Sequence, residues 1–162
     1  MKILGVDPGL AIMGYGLIEV LPQKNIKLIE AGVVRTSSKA DISTRLKNIY
    51  NNFADIIKEN KPDVVVLEKL YSHYKHPTTS ILMSHARSVI CLLAGLSNIR
   101  LVNYASTRIK KAVTGSGHAS KVQIQKMITE FLHLKKAPEP VDVTDALALA
   151  LSFVYIELRG AM

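Results

Sequence analysis

Two short runs, "KILGVD" at Lys2–Asp7 and "DVVVLE" at Asp63–Glu68, constrain the fold of this chain more than any other feature. Both are β-branched and aliphatic without a polar break, so each reads as a buried strand. Strands of that kind belong in a sheet covered on both faces. Each also ends on an acid. Asp7 runs directly into Pro8-Gly9, a turn signal, and glycines recur at Gly14 and Gly16. An acid at a strand tip beside a glycine-rich return either caps the turn with its side-chain oxygen or binds something. The rest of the chain has to decide between the two.

The order of elements narrows the architecture. Strand signals at Lys2–Asp7, Met13–Val20 and Ile26–Arg35 lie close enough for antiparallel hairpins, with Pro22 and Asn25 in the second turn. Asp41 then reads as a helix N-cap, because Ile42, Leu46, Ile49, Tyr50, Phe53, Ile56 and Ile57 follow at helical spacing. The buried strand Asp63–Glu68 comes next, and Pro77-Thr78-Thr79 opens a helix to about Leu96. A strand at Ile99–Tyr104 precedes helices near Thr107–Val113, Ala119–Leu132 and Val141–Leu158. Three meandering strands followed by crossover units predict an α/β fold, a five-stranded mixed sheet flanked by helices on both faces. That is the outline of an RNase H-like fold, and the order alone would also suit a fragment of an actin-like ATPase. No repeat or linker divides residues 1–162, so a single domain of that RNase H-like outline is expected.

Charge points to a partner. The formal net charge is +8, yet no Asp or Glu occurs between Glu68 and Glu130. That stretch holds nine cations: Lys69, Lys75, Arg87, Arg100, Arg108, Lys110, Lys111, Lys121 and Lys126. The remainder is close to neutral, with 12 basic and 13 acidic residues. A solvated basic face is the plain reading; an acid-free block of this length favours a polyanion, nucleic acid before membrane. The one cysteine, Cys91, allows no intrachain disulfide and fits a reducing cytoplasm, near the nucleoid. Met1-Lys2 runs straight into a strand, so no signal peptide is expected. The longest apolar run, around Val89–Leu96, is read as too short for a membrane span, so no membrane partner is expected.

Against that basic background, four carboxylates matter. If the strands ending at Asp7 and Glu68 lie parallel and adjacent, both acids emerge at the C-terminal sheet edge, where open α/β sheets place ligands. The last helix begins "VDVTDALALA", which puts Asp142 and Asp145 one turn apart on one face. Taken alone, that pair would read as helix-start acids that complement the dipole. Clustered with two strand-tip acids, it calls for a cation. Mg²⁺ or Mn²⁺ takes such oxygen ligands. Two ions about 3.5–4 Å apart clamp the attacking and leaving oxygens of a phosphoryl displacement. Carboxylates for metal within a basic surface for phosphate describe a nuclease, and Asp7 becomes a metal ligand rather than a turn cap.

The segments "GVDPGLAIMGYG", "LEKLY", "GSGHASKVQIQ" and "DVTDALALA" together resemble the signature regions of the RuvC family of Holliday junction resolvases, in order and across nearly the whole chain. The resemblance implies a homodimer that nicks two strands of like polarity in four-way junction DNA, leaving 5′-phosphate and 3′-hydroxyl ends. It implies catalytic, metal-binding roles for Asp7, Glu68, Asp142 and Asp145, with Asp142 the least fixed because some members carry His there. Lys110 and Lys121 match basic residues that contact DNA near the cut, and Tyr71 matches an aromatic that stacks on opened bases. Lys69, Lys75, Arg108 and Lys111 join them as DNA-binding candidates. A branch-migration complex of the RuvA and RuvB type is the further implied partner. In "MSHARSV", Ser84 and Ser88 stand where glycines are common in the helix associated with dimer contact, and small residues four apart still permit close approach.

Other features have plainer readings. His73-x-x-His76 lacks the further ligands of a zinc site. Gly115-Ser116-Gly117 lacks the Lys-Ser/Thr of a nucleotide-binding loop and reads as a turn that brings backbone N–H groups and Lys121 near a phosphate. His118 reads as a loop residue, a proton-relay role remaining open, and His85 and His133 are expected in helices. Two other functions stay in view: an actin-like ATPase or sugar kinase, usually about twice this length, and a non-catalytic DNA-binding module that keeps the fold.

Overall fold

The computed structural model describes residues 1–22, 25–70 and 77–158. Five strands form one sheet: β1 (Lys2–Asp7), β2 (Ile12–Val20), β3 (Ile26–Arg35), β4 (Val64–Glu68) and β5 (Arg100–Tyr104), in the order β3-β2-β1-β4-β5. β1 pairs antiparallel with β2, and β2 with β3; β4 lies parallel to both β1 and β5. The helices are α1 (Ile42–Asn60), α2 (Pro77–Leu96), α3 (Ser106–Thr114), α4 (Lys121–Phe131) and α5 (Val141–Phe153). This is the expected mixed sheet.

Strand alternation sorts the core into two layers. Leu4, Val6, Met13, Leu17, Val65 and Leu67 point to one face and pack on Ile49, Phe53, Ile90 and Leu93 of α1 and α2. Ile3, Ile18, Val64, Val66 and Tyr104 point to the other and meet Ile109, Ile124, Ile128, Leu147 and Phe153 of α3, α4 and α5. Helices therefore cover both faces.

Local signals set most helix ends. The Asp41 side chain accepts the Thr44 N–H at 2.8 Å, which caps α1. Its far end is closed by Lys61 in a left-handed conformation, φ 50°, with its N–H bonded to the Ile57 carbonyl. Ser120 and Gln123 cap each other reciprocally at the start of α4. The strand expected from Asp63 starts one residue later, because the Asp63 carboxylate instead accepts the Lys2 N–H at 2.7 Å. The last helix is α-helical only to Phe153; Val154–Leu158 forms a π-helical turn, whose Glu157 accepts from Tyr104 Oη at 3.0 Å and pairs with Arg100 at 3.3 Å. His133 is not helical: it is exposed, with φ 50°, just past the end of α4.

One expectation needs correction. By length and composition, the 20-residue α2 would suffice to cross a membrane. Ser84, His85, Arg87 and Ser88 interrupt its apolar residues, so no continuous apolar run of that length occurs in the sequence. Only one stripe of it, Ala86, Ile90, Leu93 and Ala94, is buried against the sheet, while Ile81, Leu92 and Leu96 are exposed.

A candidate active site at the end of the sheet

Three glycines build the site. Gly5 on β1 pairs with Gly16 on β2, and Asp7 pairs with Gly14. A Cβ at Gly5 would overlap the Ala146 carbonyl of α5, one at Gly14 the Asp142 carbonyl, and one at Gly16 the Leu147 side chain. The backbone of α5 therefore lies directly on the β1–β2 hairpin, as glycine within a strand permits. That contact delivers the first turn of α5, with Asp142 and Asp145, to the tip of β1.

Register delivers the other two acids. Val6 stands opposite Leu67 in the parallel β1–β4 pair, so Asp7 and Glu68 are the next residue on each strand. Both continue the α5-facing alternation of Ile3 and Gly5 on one strand and Val64 and Val66 on the other. The loop after Asp7 is braced from behind. Thr36 Oγ1 donates to the Leu10 carbonyl at 2.5 Å and accepts from Arg45 Nε at 2.8 Å, while the Thr36 N–H bonds the Ala11 carbonyl.

The electrostatics follow from this crowding. The Asp7 carboxyl is pushed up to about 7, first by burial and then by Asp145, Asp142 and Glu68, with Lys121 opposing. Glu68 is also raised, mainly by burial; the Ser106 hydroxyl at the start of α3 hydrogen-bonds it, and Lys110 and Lys121 act against the shift. Lys121 Nζ pairs with Asp145 Oδ2 at 3.2 Å, which raises the lysine. An all-oxygen, all-anionic donor set with one strongly opposed ionisation fits a hard divalent cation. Among the described residues, however, no three acidic, histidine or cysteine side chains already surround one point closely enough to hold an ion.

The structure thus brings Asp7, Glu68, Asp142, Asp145, Lys110 and Lys121 together. It spreads the other basic candidates. Arg108 lies over the Tyr104 ring at 5.2 Å, Lys111 is exposed on α3, and Lys69 is exposed just past β4, its N–H on the Tyr104 carbonyl. Tyr71 and Lys75, with His73, Tyr74 and His76, lie outside the described residues. The acid-free block is not one continuous face. Arg87 turns inward to Asn103 Oδ1 and Cys91 Sγ, Arg100 pairs with Glu157, and Lys126 with Glu130. Gly115 takes φ 81° as the C-cap of α3, so helix termination by itself accounts for that glycine.

Sequence reasoning did not find Ser106, Thr36 or Arg45, whose partners are distant in the chain. The glycines were visible, and their alternate spacing at Gly14 and Gly16 was the available signal for a close helix.

Comparison with known proteins agrees with this geometry. The family model described as crossover junction endodeoxyribonuclease RuvC matches residues 3–153. The RuvC of Alkaliphilus metalliredigens is 43% identical over 151 residues, covering 93% of this chain and 91% of the relative. That of Rhodopirellula baltica is 41% identical over 154 residues, covering 95% and 86%. The solved structure of Thermus thermophilus RuvC superposes with a TM-score of 0.90 at 26% identity, over 99% of this chain and 97% of that one. The same protein in complex with a Holliday junction substrate superposes at 0.89, with 23% identity and the same coverage. The glycine-seated helix, the strand-tip acids and the match along 3–153 have one common source: this chain belongs to the RuvC family.

Proposed function

We propose that this chain is a structure-selective endonuclease that resolves four-way DNA junctions by paired hydrolysis of phosphodiesters. The observation that carries this is the convergence of Asp7, Glu68, Asp142 and Asp145 at one sheet end, flanked by Lys110 and Lys121, in a chain of the RuvC family. Asp7, Glu68, Asp142 and Asp145 ligate divalent cations, Mg²⁺ with Mn²⁺ as substitute. When bound, two such ions supply a more acidic attacking water and charge stabilisation for the departing 3′ oxygen.

The protein's own groups have separate tasks. The carboxylates orient and neutralise, each needing the ionised form. Lys110 and Lys121 donate to oxygens of the phosphate at the cut, while Lys69, Arg108 and Lys111 contact phosphates farther out. Those outer contacts make binding fall steeply with salt, since each neutralised phosphate releases counterions. Tyr71 stacks on a base freed at the crossover, a role that rests on the family resemblance, and Lys75 contacts phosphate, a role that rests on its place in the acid-free basic block.

A second copy of the chain completes the enzyme. A junction with two-fold symmetry calls for two equivalent sites, which a C₂ dimer presents. The exposed stripe of α2 supports this reading: Ile81, Leu92 and Leu96 with small Ser84, Ser88 and Gly95 between them. The serine hydroxyls donate to carbonyls one turn back, Ser84 to Ser80 and Ser88 to Ser84, so neither brings an unmet hydroxyl donor to that face. A RuvA and RuvB type complex is the branch-migration partner that the family implies.

The test is a labelled four-way junction and a linear duplex of the same sequence, each incubated with and without Mg²⁺. Paired nicks in the junction only, and only with Mg²⁺, are expected. Asp145→Asn should still shift the junction in a gel and fail to cut it, which also distinguishes a nuclease from a non-catalytic binding module. Equal cutting of the duplex, or ATP turnover without nicking, would overturn the reading.

A further inference from the structure

Among the described residues, Lys121 is the lysine ion-paired directly with the carboxylate cluster. Lys121 Nζ lies 3.2 Å from Asp145 Oδ2, and its charge also acts on Asp7, Asp142 and Glu68. Its backbone is held firmly at the first residue of α4 by the Ser120–Gln123 capping box. Its side chain is not held: it is 69% exposed, against 30% for Asp145. A pair this open is weak and readily broken. A lysine head on a flexible four-carbon stem suits a charge that moves, where a planar guanidinium would suit one that stays.

We propose that Lys121 is a built-in counter-cation of the carboxylate cluster, displaced from Asp145 when a divalent cation enters and thereby released to the DNA phosphate. The inference rests on the metal-binding reading of the four acids. An ammonium and a divalent ion compete for the same carboxylate oxygens, and two cations at that distance repel. Metal entry therefore costs Lys121 its partner, and a phosphate above the site offers it a new one. Linkage makes the effect reciprocal: DNA that draws Lys121 away from Asp145 raises metal affinity by the same factor as metal raises DNA affinity. Lys121 would thus couple the two binding events, so that metal is held firmly only where a phosphate is in place. A lysine that only contacts DNA has no such influence on metal in the absence of DNA.

The experiment is a calorimetric titration of the DNA-free chain, residues 1–162, with Mn²⁺ at fixed ionic strength and pH. Wild type is compared with Lys121→Met and with Lys126→Met. Lys126 lies on the same helix, 75% exposed and paired with Glu130 at 3.9 Å, so its loss removes the same charge away from the cluster. Lys121→Met is expected to bind Mn²⁺ about tenfold tighter than wild type, a single-charge coupling between adjacent sites. Lys126→Met should match wild type. Circular dichroism checks each fold, and Lys121→Gln serves should the methionine variant misfold. Affinity in Lys121→Met equal to or weaker than wild type overturns the proposal while leaving the metal reading intact. A folded wild type that takes up no Mn²⁺ overturns the metal reading, and this proposal with it.

Discussion

Asp7 is the carboxylate whose surroundings most oppose ionisation. Burial and three neighbouring acids push it up to about 7, against an ordinary value of 3.8. The sign of its effect on stability follows. Between about pH 4 and 7 the unfolded chain has lost a proton that the metal-free folded chain keeps, so stability falls as pH rises through that window. Each pH unit traversed costs about 1.4 kcal/mol at most. Asp7→Asn removes the penalty. In chelator it should melt higher than wild type at pH 7.5 and equally at pH 4, by differential scanning calorimetry. Wild-type melting that does not change between those two pH values would place Asp7 in a more solvated setting than the crowded end of the sheet implies. The same variant should abolish junction cleavage, because the proposed metal site loses one of its four carboxylates.

At the scale of elements, the seating of α5 on the hairpin makes a sharper demand than any side-chain contact. Gly5→Ala places a methyl into the Ala146 carbonyl, and neither backbone has room to give. Overpacking of this kind costs about 1–3 kcal/mol or more. A lower melting temperature and at least a tenfold loss of cleavage are expected together, because any shift of α5 carries both Asp142 and Asp145 with it. Helix α1 offers the opposite case. Lys61 closes it at φ 50° and is exposed, so Lys61→Gly relieves left-handed strain without losing packing. The variant should gain about 0.5–1 kcal/mol in urea denaturation and cut junctions as wild type does.

For the whole molecule, the two sheet faces have different work. One carries α3, α4 and α5 and gathers the acids and their lysines. The other carries α1 and α2, and α2 exposes Ile81, Leu92 and Leu96 on its outer side. Leu92 and Leu96 are 55% and 63% exposed, so replacing both by glutamate should leave each folded chain intact. If α2 carries the proposed dimer contact, sedimentation should give a dimer for wild type and a monomer for the variant, and paired nicking should be lost. A doubly substituted protein that still sediments as a dimer would move the interface elsewhere.

Element boundaries were legible in the amino-acid sequence because they are set within a turn or two of chain. Asp41 caps its own helix, Pro77 begins the next, and the apolar runs that end at Asp7 and Glu68 reach their expected strand tips. The four acids were legible for a related reason: Asp7 and Glu68 close their strands, and Asp142 and Asp145 stand one turn apart near the start of α5. What the fold alone decided is which ends meet. Nothing near Lys121 encodes Asp145, 24 residues on, and nothing near Ser106 encodes Glu68. Nor does the positive charge of the block from Lys69 to Lys126 say that Arg87 turns inward to Asn103 while Lys110 and Lys121 reach the carboxylates. Those partners are chosen by how closely α5 approaches the β1–β2 backbone and by the register of β1 against β4. Both are set by packing across the entire sheet, to which every strand and helix contributes at once.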